Sequence, residues 1–246
     1  MFKDYVLEIL YQDEYLVAIN KPTGLLVHKS MIDRHEIYFA MKMLRDQIGE
    51  WVYPIHRLDK PTSGVLLFAL DSHTAKLMSE QFKEKTTQKT YIAVVRGYIE
   101  EEGTIEHALS VKLDKIADRD ASNVLKEPQE ATTTFRRLNT VELDISVGRY
   151  EKTRYSLVEL QPKTGRKHQL RRHMKHLSHH ILGDTKYGRG EHNIMIRREF
   201  DMQRLLLHAT SLSFIHPYEL SQIIIKAELD ATFKALFEDF SWKYEL

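Results

Sequence analysis

The 246-residue chain contains no cysteine. That excludes disulfides, thiolate nucleophiles, Cys-ligated zinc or iron–sulfur sites and thiol redox chemistry, and it accords with a reducing, cytoplasmic location. Long apolar runs are missing as well. None approaches the ~20 residues of a membrane span, so no membrane partner is expected. Glycine (10) and proline (6) are sparse. No Gly/Ser/Pro-rich linker, low-complexity tract or internal repeat divides the chain, so one domain over residues 1–246 is expected. The opening MFKDYVLEILYQDEYL is too acidic and too broken for a secretory signal. Net charge is almost absent too: Lys+Arg 36 against Asp+Glu 35 leaves +1, which alone gives no reason to expect nucleic acid.

The charge that is present is unevenly placed. Between Arg149 and Arg189 eleven Lys or Arg stand against only Glu151, Glu159 and Asp184, so this segment is +8 and the rest of the chain −7. Most charge runs are solvated helix faces. Here the basic residues flank a Gly turn and lack acids at i,i+4, which favours RNA or another polyanion whose binding weakens as salt rises. Five histidines, His168, His173, His176, His179 and His180, share the segment. His173, His176 and His179 repeat at three, but no cysteine or well-placed carboxylate completes a zinc set, and cationic neighbours would repel the ion. No metal is expected, and structural or phosphate-facing roles fit these histidines better.

Hydrophobic patterning predicts strands at Tyr5–Leu10 and Tyr15–Asn20, joined by a turn at Tyr11–Glu14. A helix is expected between Glu36 and Ile48, stopped by Gly49. Thr62–Leu70 reads as a buried strand, followed by a helix capped by Asp71 or Ser72. Further strands are expected at Tyr91–Tyr98, Thr132–Asn139, Arg154–Leu160, Leu205–Phe214 and Ile223–Leu229. Helices are expected at His168–Leu177 and Ala231–Phe240, and an exposed loop or insertion near Asp114–Gln129. This order implies an α+β fold with a mixed, mostly antiparallel sheet and flanking helices.

In PIHRLDKPTSG (54–64), Asp59 lies among two cations and an imidazole just before an apolar strand. Most loop aspartates are plain ion pairs. The chemical alternative is a carboxylate kept ionised by nearby positive charge in a cleft. Thr62, Ser63 and Gly64 offer turn geometry and backbone donors. There is no second acid in the motif for a two-carboxylate glycosidase, and no Gly-x-Ser-x-Gly elbow for an α/β-hydrolase.

Two further segments accompany it: QKTYIAVVRG (88–97) and LQPKTGRKHQLRRH (160–173). In this order the three resemble the RluA family of pseudouridine synthases, with its HRLDxxTSG, KxYxAxVxG and TGRxHQLRxH signatures. YQDEYLVAINKPTGLLVH and RLLLHATSLSFIHP are similar to the family's opening and closing strands, so the resemblance spans nearly the whole chain. DKPTSGV, LDKIAD (113–118) and GRYEKTRYSLVELQPKTGRKHQLRRH resemble the subgroup that modifies uridine 65 of tRNA. Pro61, where many members carry an acid, is typical of that subgroup. His180, where proline is usual, is a departure that touches only a loop. No room is left for the N-terminal S4 module of several relatives.

The resemblance implies the pseudouridine-synthase fold with a central catalytic cleft, and isomerisation of a tRNA uridine without cofactor or metal; the alternatives are an rRNA synthase of the same family or a non-catalytic RNA-binding protein, and a monomer is expected. Asp59 would be the essential carboxylate, either a nucleophile at C1′ or a base yielding a glycal. Arg171 would pair with Asp59 and hold it ionised, and Tyr91 would lie against the uracil and help remove the C5 proton. The target base must be flipped out of folded RNA. Arg57 is the candidate to enter the space left behind. His56 and Leu170 would shape the pocket, although His56 could equally be a satisfied histidine packing its loop. Arg166, Lys167, Arg172, His173 and Lys175 are candidate phosphate contacts, which position RNA without reading its sequence.

Overall fold

The computed structural model describes residues 2–29, 35–110 and 127–244. Most of the expected insertion, 114–126, lies outside them, together with LDKIAD. Among the described residues ten strands form one mixed sheet: β1 Glu8–Gln12, β2 Leu16–Lys21, β3 Tyr53–Pro54, β4 Ser63–Ala69, β5 Gln88–Arg96, β6 Glu102–Glu106, β7 Thr132–Leu143, β8 Thr153–Pro162, β9 Leu207–Ile215 and β10 Gln222–Lys226. The helices described beside them are α1 Ala40–Ile48, α2 Ser72–Glu84, α3 Gln169–His176, α4 Gly190–Phe200 and α5 Ala231–Asp239. The strand order is β1-β2-β4-β9-β5-β8-β7-β6, with β3 on β4 and β10 on β9. All pairings are antiparallel except β4 with β9. The architecture is the α+β arrangement that the patterning implied.

The parallel β4–β9 seam is short, pairing Ser63 with His208 and Gly64 with Ala209. Gly64 has φ +110°, and a Cβ there would sit 2.1 Å from the Ala209 carbonyl oxygen, so this approach requires glycine. Along the same edge of β9, β10 follows β4, while β5 occupies the opposite edge. All seven residues of β4 are buried, as its unbroken apolar run requires. Its alternate side chains divide between two cores. Leu66 and Phe68 pack toward α1, and Val65, Leu67 and Ala69 toward Met78 of α2. In β5, Ile92 and Val94 pack with α4 and α5, whereas Ala93 and Val95 face α3.

Several elements depart from the patterning for identifiable reasons. The first strand starts at Glu8 because the Gln47 amide pairs with both backbone groups of Leu7 (2.9 Å each). Its turn moves to Asp13, whose carboxylate accepts the Tyr15 and Leu16 N–H groups. Helix α1 begins at Ala40 because Phe39 is held extended by a bridge to Leu26. Strand β6 and helix α4 were not expected. β6 is a polar edge strand with only Ile105 buried, and α4 lacks a side-chain N-cap. Asp71 caps α2, accepting N–H bonds from His73 and Thr74.

Candidate active site

Asp59 sits in the loop between β3 and β4, and its neighbours leave that loop little freedom. Thr62 N–H donates to the Asp59 carbonyl (3.0 Å), and Thr23 Oγ1 to the Pro61 carbonyl (2.8 Å). The Lys60 carbonyl accepts from Gly24 N–H (2.9 Å) and from Lys21 Nζ (3.2 Å). Lys21 is fully buried, and its ammonium also donates to the Pro22 and Leu25 carbonyls (2.9 and 2.8 Å).

Arg171, on α3, reaches this loop across the seam. Its Nη1 donates to Asp59 Oδ2 at 3.1 Å. The rest of the guanidinium is engaged by a second carboxylate: Nε donates to Asp184 Oδ2 (2.7 Å) and Nη2 to Asp184 Oδ1 (2.8 Å). This forked pair is almost wholly buried, with side-chain exposure of 6% for Arg171 and 1% for Asp184. Asp184 Oδ1 also accepts the Lys186 and Tyr187 N–H groups. Arg171 is therefore fixed before any substrate arrives, with one nitrogen aimed at Asp59.

Tyr91, on β5, faces the same space. Burial, reinforced by the Asp59 charge, raises its phenol well above the ordinary tyrosine range, so it presents a neutral hydroxyl. His168 lies on the other side of Asp59, with Nε2 3.7 Å from Oδ1. Burial outweighs the Asp59 charge and lowers its pKa to about 4, leaving it neutral. Its Nδ1 pairs with the Tyr187 hydroxyl at 3.0 Å.

Asp59, Tyr91, His168 and Arg171 line a cavity of about 710 Å³. Its wall contains the cations Arg57, Lys83, Lys85, Lys89, Lys163, Arg166, Lys167 and Arg171, and among the described residues Asp59 is the one carboxylate lining it. Such a lining concentrates positive potential on one carboxylate in a concave, partly desolvated setting. Segments far apart in sequence, carrying Asp59, Tyr91 and Arg171, converge on it. Residues 15–176 match the family model described as RNA pseudouridylate synthase. The chain belongs to that family.

The synthase is 56% identical over 240 residues to the tRNA pseudouridine synthase C of Vibrio parahaemolyticus, covering 98% of this chain and 97% of that one. To the tRNA pseudouridine synthase C of Haemophilus influenzae it is 55% identical over 238 residues, covering 97% and 99%. The solved structure of human RNA Pseudouridylate Synthase Domain Containing 1 superposes with a TM-score of 0.69 at 28% identity, covering 92% of this chain and 87% of that one.

The remaining predicted residues of the synthase fall into three groups. Arg57 and Leu170 line the cavity, Arg57 exposed and Leu170 buried at 7%. Arg57 makes no hydrogen bond or ion pair among the described residues. His56 also lines the cavity, but its Nε2 accepts the Leu67 N–H (3.1 Å) and its ring stacks on Phe82 at 5.0 Å. Burial, with a further push from Lys89, lowers its pKa to about 3. It is a neutral, fixed wall group, as the packing alternative held.

Of the expected phosphate contacts, Arg166 and Lys167 are on the wall, while Arg172 and Lys175 are not among the lining residues. Arg172 Nη2 donates to Ser110 Oγ (3.2 Å), and Lys175 is exposed. His173 requires correction. It is 0% exposed, with Nδ1 paired to Thr133 Oγ1 (2.9 Å) and Nε2 to the His107 carbonyl (3.2 Å). Chiefly through burial its pKa falls to about 4, so it is a neutral core histidine that no phosphate can reach.

Sequence reasoning gave no role to Asp184 or Gln169, and gave His168 only a structural or phosphate-facing one. Gln169 holds the 162–168 turn: its Oε1 accepts from Thr164 Oγ1 and Arg166 N–H, and its Nε2 donates to the Thr132 carbonyl and Thr133 Oγ1. Asp184 did leave a signal, as one of just three acids inside a segment of eleven cations.

Proposed function

We propose that the protein isomerises a tRNA uridine, at position 65, to pseudouridine, acting as a single catalytic domain and as a cytoplasmic monomer. The observation that carries this reading is Asp59 at the base of a cationic cavity, held by an arginine that a second, buried carboxylate fixes in place. The names of the relatives support tRNA as the substrate class.

Asp59 adds to C1′ as the N1–C1′ bond breaks, and the bonding pair stays on uracil N1. The uracil turns, C5 bonds to C1′, and the carboxylate departs. The C5 proton is lost and N1 gains one, so the change is an isomerisation with no net redox step and no need of a cofactor. In the glycal variant Asp59 first takes the C2′ proton instead. Both routes use the Asp59 carboxylate, which Arg171 Nη1 holds in place at 3.1 Å. Tyr91, a neutral phenol beside the uracil, packs the base and relays the C5 proton through its hydroxyl. Arg57, exposed on the cavity wall, fills the space left by the flipped base; flipping costs a few kcal/mol of stacking. Arg166 and Lys167 meet RNA phosphates.

The test is pseudouridine mapping in total tRNA and rRNA with and without the gene, joined to tritium release from C5-labelled uridine in tRNA. Loss of one tRNA pseudouridine is expected in cells. In vitro, Asp59→Asn should release no tritium while binding tRNA within a few-fold of wild type. A loss confined to rRNA would overturn the substrate assignment, and normal turnover by Asp59→Asn would overturn the mechanism.

A further inference from the structure

Lys89 stands two residues before Tyr91 on β5, on the same face, and both line the cavity. The reaction outlined above uses Tyr91 and leaves Lys89 without a task. Its ammonium is half-buried, yet it donates no hydrogen bond and forms no ion pair among the described residues. Behind it lies the face of Phe82, 5.9 Å from Nζ to the ring centroid. Phe82 is in turn backed by His56, which is tied to β4. The lysine therefore has a rigid aromatic wall on one side and the open cavity on the other.

From the turn after β8, Lys163 approaches the same space. It too makes no side-chain hydrogen bond or ion pair among the described residues. Burial first, and the Lys163 charge second, hold the Lys89 ammonium below the usual lysine range. Asp59 does not relieve the pair, because Arg171 engages it. Two like charges facing one cleft, one of them partly desolvated, are both stabilised by an anion bound between them.

We propose that Lys89 and Lys163 form a phosphodiester subsite that grips the RNA backbone next to the uridine being isomerised. The proposal rests on the reading of the protein as an RNA pseudouridine synthase. Along a strand, residues i and i+2 are about 6.6 Å apart. A base packed on Tyr91 with its ribose at Asp59 thus brings an adjacent linkage within reach of Lys89. Such a grip has a distinct purpose here. Once the glycosidic bond is cut, the uracil must turn while C1′ stays still, and only the backbone remains to hold the sugar.

The experiment uses the full chain and the tRNA stem-loop it modifies, with a neutral methylphosphonate placed singly 5′ to the target, 3′ to it, or at a remote linkage. Wild type should bind about tenfold more weakly when one of the two adjacent linkages is neutral. Lys89→Met should bind the all-phosphate RNA about tenfold more weakly, with a salt slope lower by about one, and be indifferent to that same linkage. Lys89→Arg should restore most of the binding. Lys163→Met, at an exposed position, gives the same contrast should Lys89→Met fail to fold. Wild type indifferent to both adjacent linkages, or lysine variants as sensitive to them as wild type, would overturn the subsite. Failure of wild type to modify any RNA would overturn the functional reading instead.

Discussion

Replacing Asp184 by asparagine tests whether the buried fork organises the site. The amide keeps the size of the side chain, and its oxygen can still accept the Lys186 and Tyr187 N–H groups. It removes a negative charge and sets an NH₂ against the guanidinium at one of two contacts now 2.7 and 2.8 Å long. Breaking a buried pair by removing one partner costs about 3–5 kcal/mol. With the backbone bonds retained, the lower end applies, about 3 kcal/mol. For a chain of this size each kcal/mol moves Tm by about 2–4 °C, so a fall of about 6–12 °C is expected. Arg171 would then lose its Nε contact and keep only Nη2 to the amide oxygen and Nη1 to Asp59, and a misplacement of about 1 Å at the reacting centre costs on the order of 10²-fold in rate. Thermal unfolding followed by circular dichroism, and single-turnover tritium release at 25 °C, read the two effects separately. A Tm within about 2 °C of wild type together with an unchanged rate would refute the reasoning. A pH series adds a check. Burial pushes the Asp184 carboxyl up, but the Arg171 bonds and charge and the two N–H groups bring it below its usual range. Its stabilisation is therefore present above about pH 4 and lost as pH falls through the folded value, so the gap between variant and wild type should close in acid.

Gly64→Ala would force a Cβ into the Ala209 carbonyl at φ +110°, so urea unfolding should show a loss above about 3 kcal/mol; a loss under 1 kcal/mol would mean the seam can spread. Lys21→Met strands three carbonyls that the buried ammonium now satisfies; about 3 kcal/mol of stability should go, along with turnover, because one of those carbonyls belongs to the Asp59 loop. His173 and His208 are both nearly unexposed, and burial lowers each pKa to about 4. The unfolded chain therefore binds more protons between about pH 6.5 and 4, and stability should fall by roughly 2–3 kcal/mol per pH unit near pH 5. A flat profile from pH 6.5 to 5 would contradict that. Lys167→Ala should lower the salt slope of tRNA binding by about one unit if it meets a phosphate.

Asp59, Tyr91 and Arg171 were legible because three specific motifs carry them, and the structure brings all three to one cavity. The buried run of β4 and the Gly49 stop of α1 were legible because period and cap chemistry are local. What escaped was set by distant partners. Nothing near His173 in the chain says that Thr133 and the His107 carbonyl will take both its nitrogens. The basic residues of 149–189 supply only part of the cavity's charge. Lys83, Lys85 and Lys89 come from the end of α2 and the start of β5, outside the segment whose composition stood out. Helix α4 and strand β6 stayed hidden because one lacks a side-chain N-cap and the other is a polar edge.

The two-residue parallel seam between β4 and β9 has a bearing on how the chain acquires activity at all. It joins residues about 145 positions apart, so its formation carries a large loop-closure cost and belongs late in folding. Asp59 stands on the β4 side of that seam, whereas Tyr91 and Arg171 stand on the β9 side. No intermediate with only one half of the sheet formed brings the carboxylate to its arginine. A ribosome-bound chain that has not yet released β9 would carry a basic, RNA-attracting surface with no competent carboxylate beside it. Activity therefore requires the two halves of the sheet to be joined, and turnover reports on that joining.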